Sequence, residues 1–216
     1  PGRRPGAPGD LRLLREQAVD DGRGWDGDHR RRRAGDADAQ RAQAQTATAS
    51  AGQLALCVAC HGANGNSSIP TTPSLAGQPK VFIENQLVLI REGIRDVPQM
   101  KGMLDKFKDE DFVALGQYFS EQKPVKTVTE PVNQSSYLRG QELSKKMLCG
   151  TCHLANYSGQ NQIPRLAGQH EAFLKLSLKQ FRDNPGPGRD SNMTAAAFGI
   201  KDAEIDDLAH FMANFK

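Results

Sequence analysis

The chain has 216 residues, 38% of them hydrophobic, with 28 Lys/Arg against 25 Asp/Glu and a formal net charge of +3. That near-balance is no nucleic-acid-binding profile, and no run of eighteen or more apolar residues occurs, which predicts no transmembrane helix. The length admits one or two domains.

In residues 1–50 all ten basic side chains are Arg, and there is no Phe, Ile or Cys. Gly, Asp and Ala recur there without apolar periodicity, which predicts disorder. The Arg30 to Arg33 run sits among Asp residues without interleaved aromatics and reads as a solvated charge run. Ala42-Gln43-Ala44 resembles the cleavage end of an export signal, but the apolar stretch such a signal needs is missing, because Leu11 to Leu14 is interrupted by Arg12. The segment is expected to be leader-like or a mis-assigned start, with no function of its own.

The next feature carries the chemistry. Cys57-Val58-Ala59-Cys60-His61 and Cys149-Gly150-Thr151-Cys152-His153 use every cysteine in the chain, and a histidine follows the second thiol each time. This is the pattern of covalent c-type haem attachment. On a helix, positions i, i+3 and i+4 share a face, so two sulfurs can bond the haem vinyl groups while the imidazole turns toward the iron. Two disulfides, a four-thiolate zinc site or a thioredoxin-like centre would explain the cysteines but not the histidine after both pairs. The surroundings also lack the β-branched and aromatic runs of a βαβ unit.

The two motifs head an internal repeat. Pro73-Ser74-Leu75-Ala76-Gly77-Gln78 follows the first, and Pro164-Arg165-Leu166-Ala167-Gly168-Gln169 the second. Each copy continues with a helical segment, Lys80 to Glu92 or Glu171 to Arg182, then a loop with Gly, Pro and Asp that carries a methionine. Each ends in an amphipathic helix, where Phe112, Leu115 and Phe119 match Ile205, Leu208 and Met212. Two copies of one small α-helical domain are expected: residues 51–122 and 137–216, joined by a Pro/Thr/Val/Ser-rich linker at 123–136. Each is near the size at which an apolar core alone is marginal, and a buried haem would complete it.

Met100 lies 39 residues after His61 and Met193 lies 40 after His153, so both occupy one place in the repeat. They are the candidate sixth ligands of the irons, since a thioether favours Fe(II) and raises the potential. Met103 competes in the first copy, but its aligned partner in the second is Ala196, whereas Met100 aligns with Met193. Met147 stands too close to Cys149 to reach around a haem, and Met212 belongs to the last apolar stripe.

With these motifs, the segment from Gly52 to Phe215 resembles the dihaem cytochrome c4 family, built of two class I cytochrome c domains. The resemblance implies an all-α fold, each domain wrapped around one covalent haem c, with iron between His61 and Met100 and between His153 and Met193. It also implies that Pro73 and Pro164 offer backbone carbonyls to the far nitrogens of the histidines, fixing their orientation. The implied role is a periplasmic one-electron carrier, not an enzyme, linking a membrane-bound donor complex to a terminal oxidase or a dehydrogenase. No nucleic-acid partner is expected, and association with the membrane would be peripheral, through those partners. Two alternatives differ in class: an electron-transfer subunit of a dehydrogenase complex, and a dihaem peroxidase, which needs an openable iron.

The family usually places a cap such as Ser before the closing helix. Here Lys108 and Lys201 stand there, so Asp109 and Asp202 are the expected caps. Arg91 and Arg182 are equivalent by position and are candidates for haem propionates or for surface ion pairs. His29, His170 and His210 lack a cysteine pair and read as surface or structural residues.

Overall fold

The structure, a computed structural model, describes residues 49–126 and 132–215. The expectations for residues 1–48, including His29 and the Arg30 to Arg33 run, lie outside the described residues, as does the middle of the linker. The rest belongs to one compact unit, residues 47–216. It is helical, with no strand among the described residues and a single isolated bridge between Gln160 and Ile163.

The first repeat opens with α1, Ala51–His61. Ser50 starts it as a complete capping box: its hydroxyl accepts from the Gln53 N–H at 3.2 Å, and the Gln53 side chain accepts from the Ser50 N–H at 2.9 Å. A short 3₁₀ turn, Ala63–Gly65, leads through the Leu-Ala-Gly-Gln segment to α2, Lys80–Arg91. A second 3₁₀ turn, Pro98–Met100, precedes the closing helix α3, Asp109–Glu121.

The second repeat follows the same order with a longer entry. Helix α4, Gln134–Lys146, ends before the cysteine motif, and α5, Cys149–His153, begins after a break at Leu148, whose φ of 57° is left-handed. Then come α6, Glu171–Asp183, α7, Ser191–Ala197, and the closing helix α8, Asp202–Asn214. The expected linker thus ends early, because its last residues, 134–136, already belong to α4. Asn133 caps that helix, its side chain accepting from the Ser136 N–H at 3.0 Å. Gln134, Ser135 and Ser136 add no apolar periodicity, so the sequence does not announce the start.

The closing helices carry the core as their stripes predict. Phe112, Leu115, Phe119, Ile205, Leu208 and Met212 are all at most 4% exposed. Burying one such side chain contributes about 1.5–3 kcal/mol. Leu54, Cys57 and Met100 pack against the Phe112/Leu115/Phe119 cluster, while Tyr137, Cys149 and Leu166 pack against the cluster around Phe211 and Met212.

The expected caps are corrected. Lysine has no acceptor, so Lys108 and Lys201 hold the N-cap position without a side-chain hydrogen bond. The carboxylates that reach back are Asp111 and Glu204, which accept from the Lys108 and Lys201 N–H groups at 2.8 Å. Asp109 and Asp202 pair instead with Arg91 and Arg182, at 2.8 and 2.7 Å. The same arginines donate to the carbonyls of Phe107 and Ile200, tying α2 and α6 to the start of the closing helix in their own repeats.

Candidate haem sites

Each cysteine motif presents one half-buried thiol, Cys57 or Cys149, and one exposed thiol, Cys60 or Cys152, and none is in a disulfide. Burial pushes the Cys57 thiol up to about 11 and raises that of Cys149 as well. Such thiols are protonated at neutral pH and are not the thiolates that a thioredoxin-like centre needs. Among the described residues no three or more His, Cys, Asp or Glu side chains are gathered as a metal-ion site.

The histidines are held alike. His61 Nδ1 donates to the Pro73 carbonyl at 2.8 Å, and His153 Nδ1 donates to the Pro164 carbonyl at 2.8 Å. Burial lowers both imidazoles from their ordinary value, more than these hydrogen bonds raise them. The rings are therefore neutral at pH 7, with the proton on Nδ1 and the lone pair on Nε2, the form in which histidine binds a metal.

His61 ends α1, and the residue after it, Gly62, has φ 78°. A Cβ at Gly62 would run into the Asn66 carbonyl oxygen, so only glycine lets the chain turn back beneath the histidine. The second repeat makes the corresponding turn with Leu154, at φ 67° and ψ 160°.

Met100 and Met193 are both half-buried, but in different local structure. Met100 ends a 3₁₀ turn and packs on the first repeat's core. Met193 lies in α7, whose cap Asp190 accepts from the Met193 N–H at 2.9 Å. Asp190 is near enough to His153 for its charge to act there, which brings the start of α7 toward that imidazole. Met103 is also half-buried but is not among the residues packed on that cluster.

Arg91 and Arg182 are engaged in the ion pairs described above. Arg95, Arg165 and Arg189 have no carboxylate partner among the described residues. Arg95 donates to Gln86, and Arg189 donates to Gln180 at 2.8 Å. Burial and the neighbouring charge of Arg189 push Arg95 down to about 10. Arg189 also lies over the Phe181 ring, 5.4 Å from its centroid, so both partly buried cations meet neutral groups and can accept an anionic one.

Sequence reasoning also missed how the repeats are joined. Of the surface and structural readings of His170 the structure selects the second: it is buried, and its Nε2 donates to the Ser67 carbonyl at 2.8 Å. His210 is buried between Glu171, 2.8 Å from Nδ1, and the Asn133 N–H, which donates to Nε2 at 3.1 Å. Gln78 and Gln169 reach from each repeat into the other. The signal for those two was present, since both Leu-Ala-Gly segments end in Gln, but a repeat marker does not say what its side chain touches.

Comparisons with known proteins agree with this geometry. Residues 137–216 match the family model described as cytochrome c, and residues 42–119 match that described as cytochrome c oxidase, cbb3-type, subunit III. The chain is 34% identical over 173 residues to cytochrome c4 of Azotobacter vinelandii, covering 73% of this chain and 82% of that protein. It superposes with a TM-score of 0.70 on the crystal structure of reduced recombinant cytochrome c4 from Pseudomonas stutzeri, at 30% identity, covering 76% of this chain and 96% of that one. It is also 27% identical, over 74% of this chain and 79% of the other, to a thiosulfate dehydrogenase electron acceptor of Thiomonas intermedia.

Proposed function

The chain belongs to the cytochrome c4 family, a dihaem electron carrier with two covalently bound c-type haems, and from that premise we propose that it works in the periplasm as a one-electron shuttle between redox proteins. When bound, each haem supplies an iron that cycles between Fe(III) and Fe(II).

The chain's residues do the rest. Cys57 and Cys60 would hold one haem by thioether bonds, and Cys149 and Cys152 the other. His61 and Met100 would close the first iron, and His153 and Met193 the second. Pro73 and Pro164 keep the imidazoles oriented and basic through the Nδ1 hydrogen bonds. Arg95 and Arg189, which share one neighbourhood, are candidate cations for haem propionates. With protein donors on both sides, a bound haem would exchange electrons, and no residue would be required for bond-making catalysis.

The observation that carries this reading is the duplicated arrangement: two Cys/Cys/His sets, each histidine on a proline carbonyl at 2.8 Å, each repeat with a half-buried methionine at one register. No described helix is long and apolar enough to cross a membrane. The partners in the proposed shuttle are a membrane-bound donor complex and a terminal oxidase. A second reading, an electron outlet docked on a dehydrogenase, is favoured by the similarity to a thiosulfate dehydrogenase electron acceptor. It keeps the same haem chemistry and differs in the partner.

Carbon monoxide titration of the dithionite-reduced holoprotein tests the core of the proposal. Almost no gas bound is expected, since both irons are closed. About one equivalent per two haems would show one open iron and transfer the case to a dihaem peroxidase. Copurification of a stoichiometric dehydrogenase would select the second reading.

A further inference from the structure

The Leu-Ala-Gly-Gln segments clasp each other across the boundary between the repeats. Gln169 lies along the backbone of Ser74: its Oε1 accepts from the Ser74 N–H at 2.9 Å and its Nε2 donates to the Ser74 carbonyl at 3.0 Å. Gln78 treats Arg165 the same way, at 2.9 and 3.0 Å. Both glutamines are 5% exposed, so these are buried bonds in which donor and acceptor are matched.

The residues that they grip follow the two prolines. The carbonyl that accepts from His61 is that of Pro73, and the N–H that donates to Gln169 belongs to the same peptide group. The Pro164–Arg165 peptide likewise accepts from His153 and donates to Gln78. An acceptor on the N–H side of a conjugated peptide increases the negative charge on its oxygen, so bonds in series strengthen one another. Each series begins at a histidine of one repeat and ends on a glutamine of the other.

We propose that Gln78 and Gln169 are positioning residues that act across the domain boundary, each setting the electron-donor strength of the histidine in the opposite domain and thereby the potential of the opposite haem. The inference rests on His61 and His153 being the axial ligands. A histidine whose Nδ1–H meets a more basic carbonyl donates more strongly to iron, favours Fe(III) and lowers the potential. Docking of the domains then sets both potentials at once. The two series are unequal, because Gln169 Oε1 also accepts from the His170 N–H at 3.0 Å, whereas Gln78 is followed by Pro79, which has no N–H. Gln78 therefore acts more strongly on the second haem than Gln169 does on the first.

The test uses the full holoprotein with Gln169→Leu, Gln78→Leu, Gln169→Glu and Gln78→Glu. Each haem is titrated separately through its own haem-methyl proton NMR signals as the potential is stepped, and docking is checked by contacts between the repeats in the same spectra. Gln169→Leu is expected to raise the potential of the Cys57/Cys60 haem and leave the other nearly in place. Gln78→Leu should do the converse, with the larger shift. The Glu variants keep an oxygen for the N–H and add negative charge, so they should move the same opposite haem downward. If the domains of a Leu variant separate, the Glu variant at that position decides by the same criterion. A shift confined to the variant's own domain, an equal shift at both haems, or no shift at the opposite haem overturns the proposal. Carbon monoxide binding to each variant is measured alongside: if the irons stay closed while the crossed shift is missing, the glutamine proposal fails and the axial ligation stands.

Discussion

The closing helices of the two repeats begin from matching apolar stripes and end in different surroundings. Nine of the thirteen residues of α8 are buried, against five of thirteen in α3. The difference comes from α4, which crosses α8 at Gly140. A Cβ there would strike the Asp207 carbonyl oxygen and lie 2.7 Å from the Phe211 Cβ, so the glycine lets the two backbones meet. Arg139 then donates to both Asp207 oxygens, at 2.7 and 2.8 Å, and the Ser136 hydroxyl donates to one of them at 2.5 Å. Phe211 is enclosed by the rings of Tyr137, Tyr157 and Phe215. In the first repeat the equivalents of Asp207 and Phe211 are Ala114 and Tyr118, and Tyr118 is half-buried with its hydroxyl on Asn64 at 3.2 Å. The lesson is that the cysteine motif and the apolar stripe suffice to repeat the haem pocket, whereas the stability of each copy depends on what covers the far side of its last helix.

The most disruptive way to break this contrast is to part the helices. Gly140→Ala should cost the second repeat about 3 kcal/mol or more, because a backbone oxygen cannot move aside as a side chain can. Urea unfolding followed at amide NMR signals of each repeat should show the second repeat melting first. Phe211→Ala should cost about 3–5 kcal/mol in the same assay, and the equivalent Tyr118→Ala about 1 kcal/mol; equal losses would erase the distinction drawn between the helices.

The turns after the histidines give a pair of opposite sign. Gly62→Ala should destabilise by about 2 kcal/mol, through both the left-handed φ and the collision with Asn66. Leu154 already bears such a backbone, so Leu154→Gly should leave stability level or raise it by about 1 kcal/mol in thermal unfolding.

Acid should sharpen the comparison further. Hydrogen bonds from Arg139 hold the Asp207 carboxyl below its ordinary value of 3.8, outweighing its burial, with Ser136 adding to the effect. A carboxylate lowered in the folded state stabilises fully above its unfolded value and loses that contribution as pH falls through the folded one. The second repeat should therefore lose stability relative to the first below about pH 4, and Asp207→Asn should reduce that pH dependence, leaving the share of Glu171, Asp183 and Asp202, whose carboxyls are lowered too. The smallest expected effect is one of equality: Asp111→Ala and Glu204→Ala should each cost about 0.5–1 kcal/mol, by the same hydrogen bond to the N-cap N–H.

Much of the molecule was legible in the residue order. Spacing of two thiols and an imidazole is a local matter decided within one helical turn, and the apolar stripes of α3 and α8 are local in the same sense, so both could be read directly. The helical segments after the two Leu-Ala-Gly-Gln stretches were placed to within a residue of α2 and α6. What escaped depends on partners far along the chain. The sequence left Arg91 and Arg182 between haem propionates and surface ion pairs, and the choice fell to aspartates 18 and 20 residues away. His170 read as surface or structural, and the partner that decides for the second, Ser67, lies 103 positions earlier.

The sequence by itself determined the cofactor class, the duplication, the all-α architecture and the core stripes, because covalent attachment and helical periodicity are written at separations of one to seven residues. Only the tertiary structure decided that α4 crosses α8 at Gly140, that Arg95, Arg165 and Arg189 rather than Arg91 and Arg182 are left without carboxylate partners among the described residues, and that Gln78 and Gln169 grip each other's repeat. Those outcomes come from which surfaces meet once the chain is closed, and the hydrogen bonds of a buried amide are set by whatever backbone the fold brings within 3 Å of it.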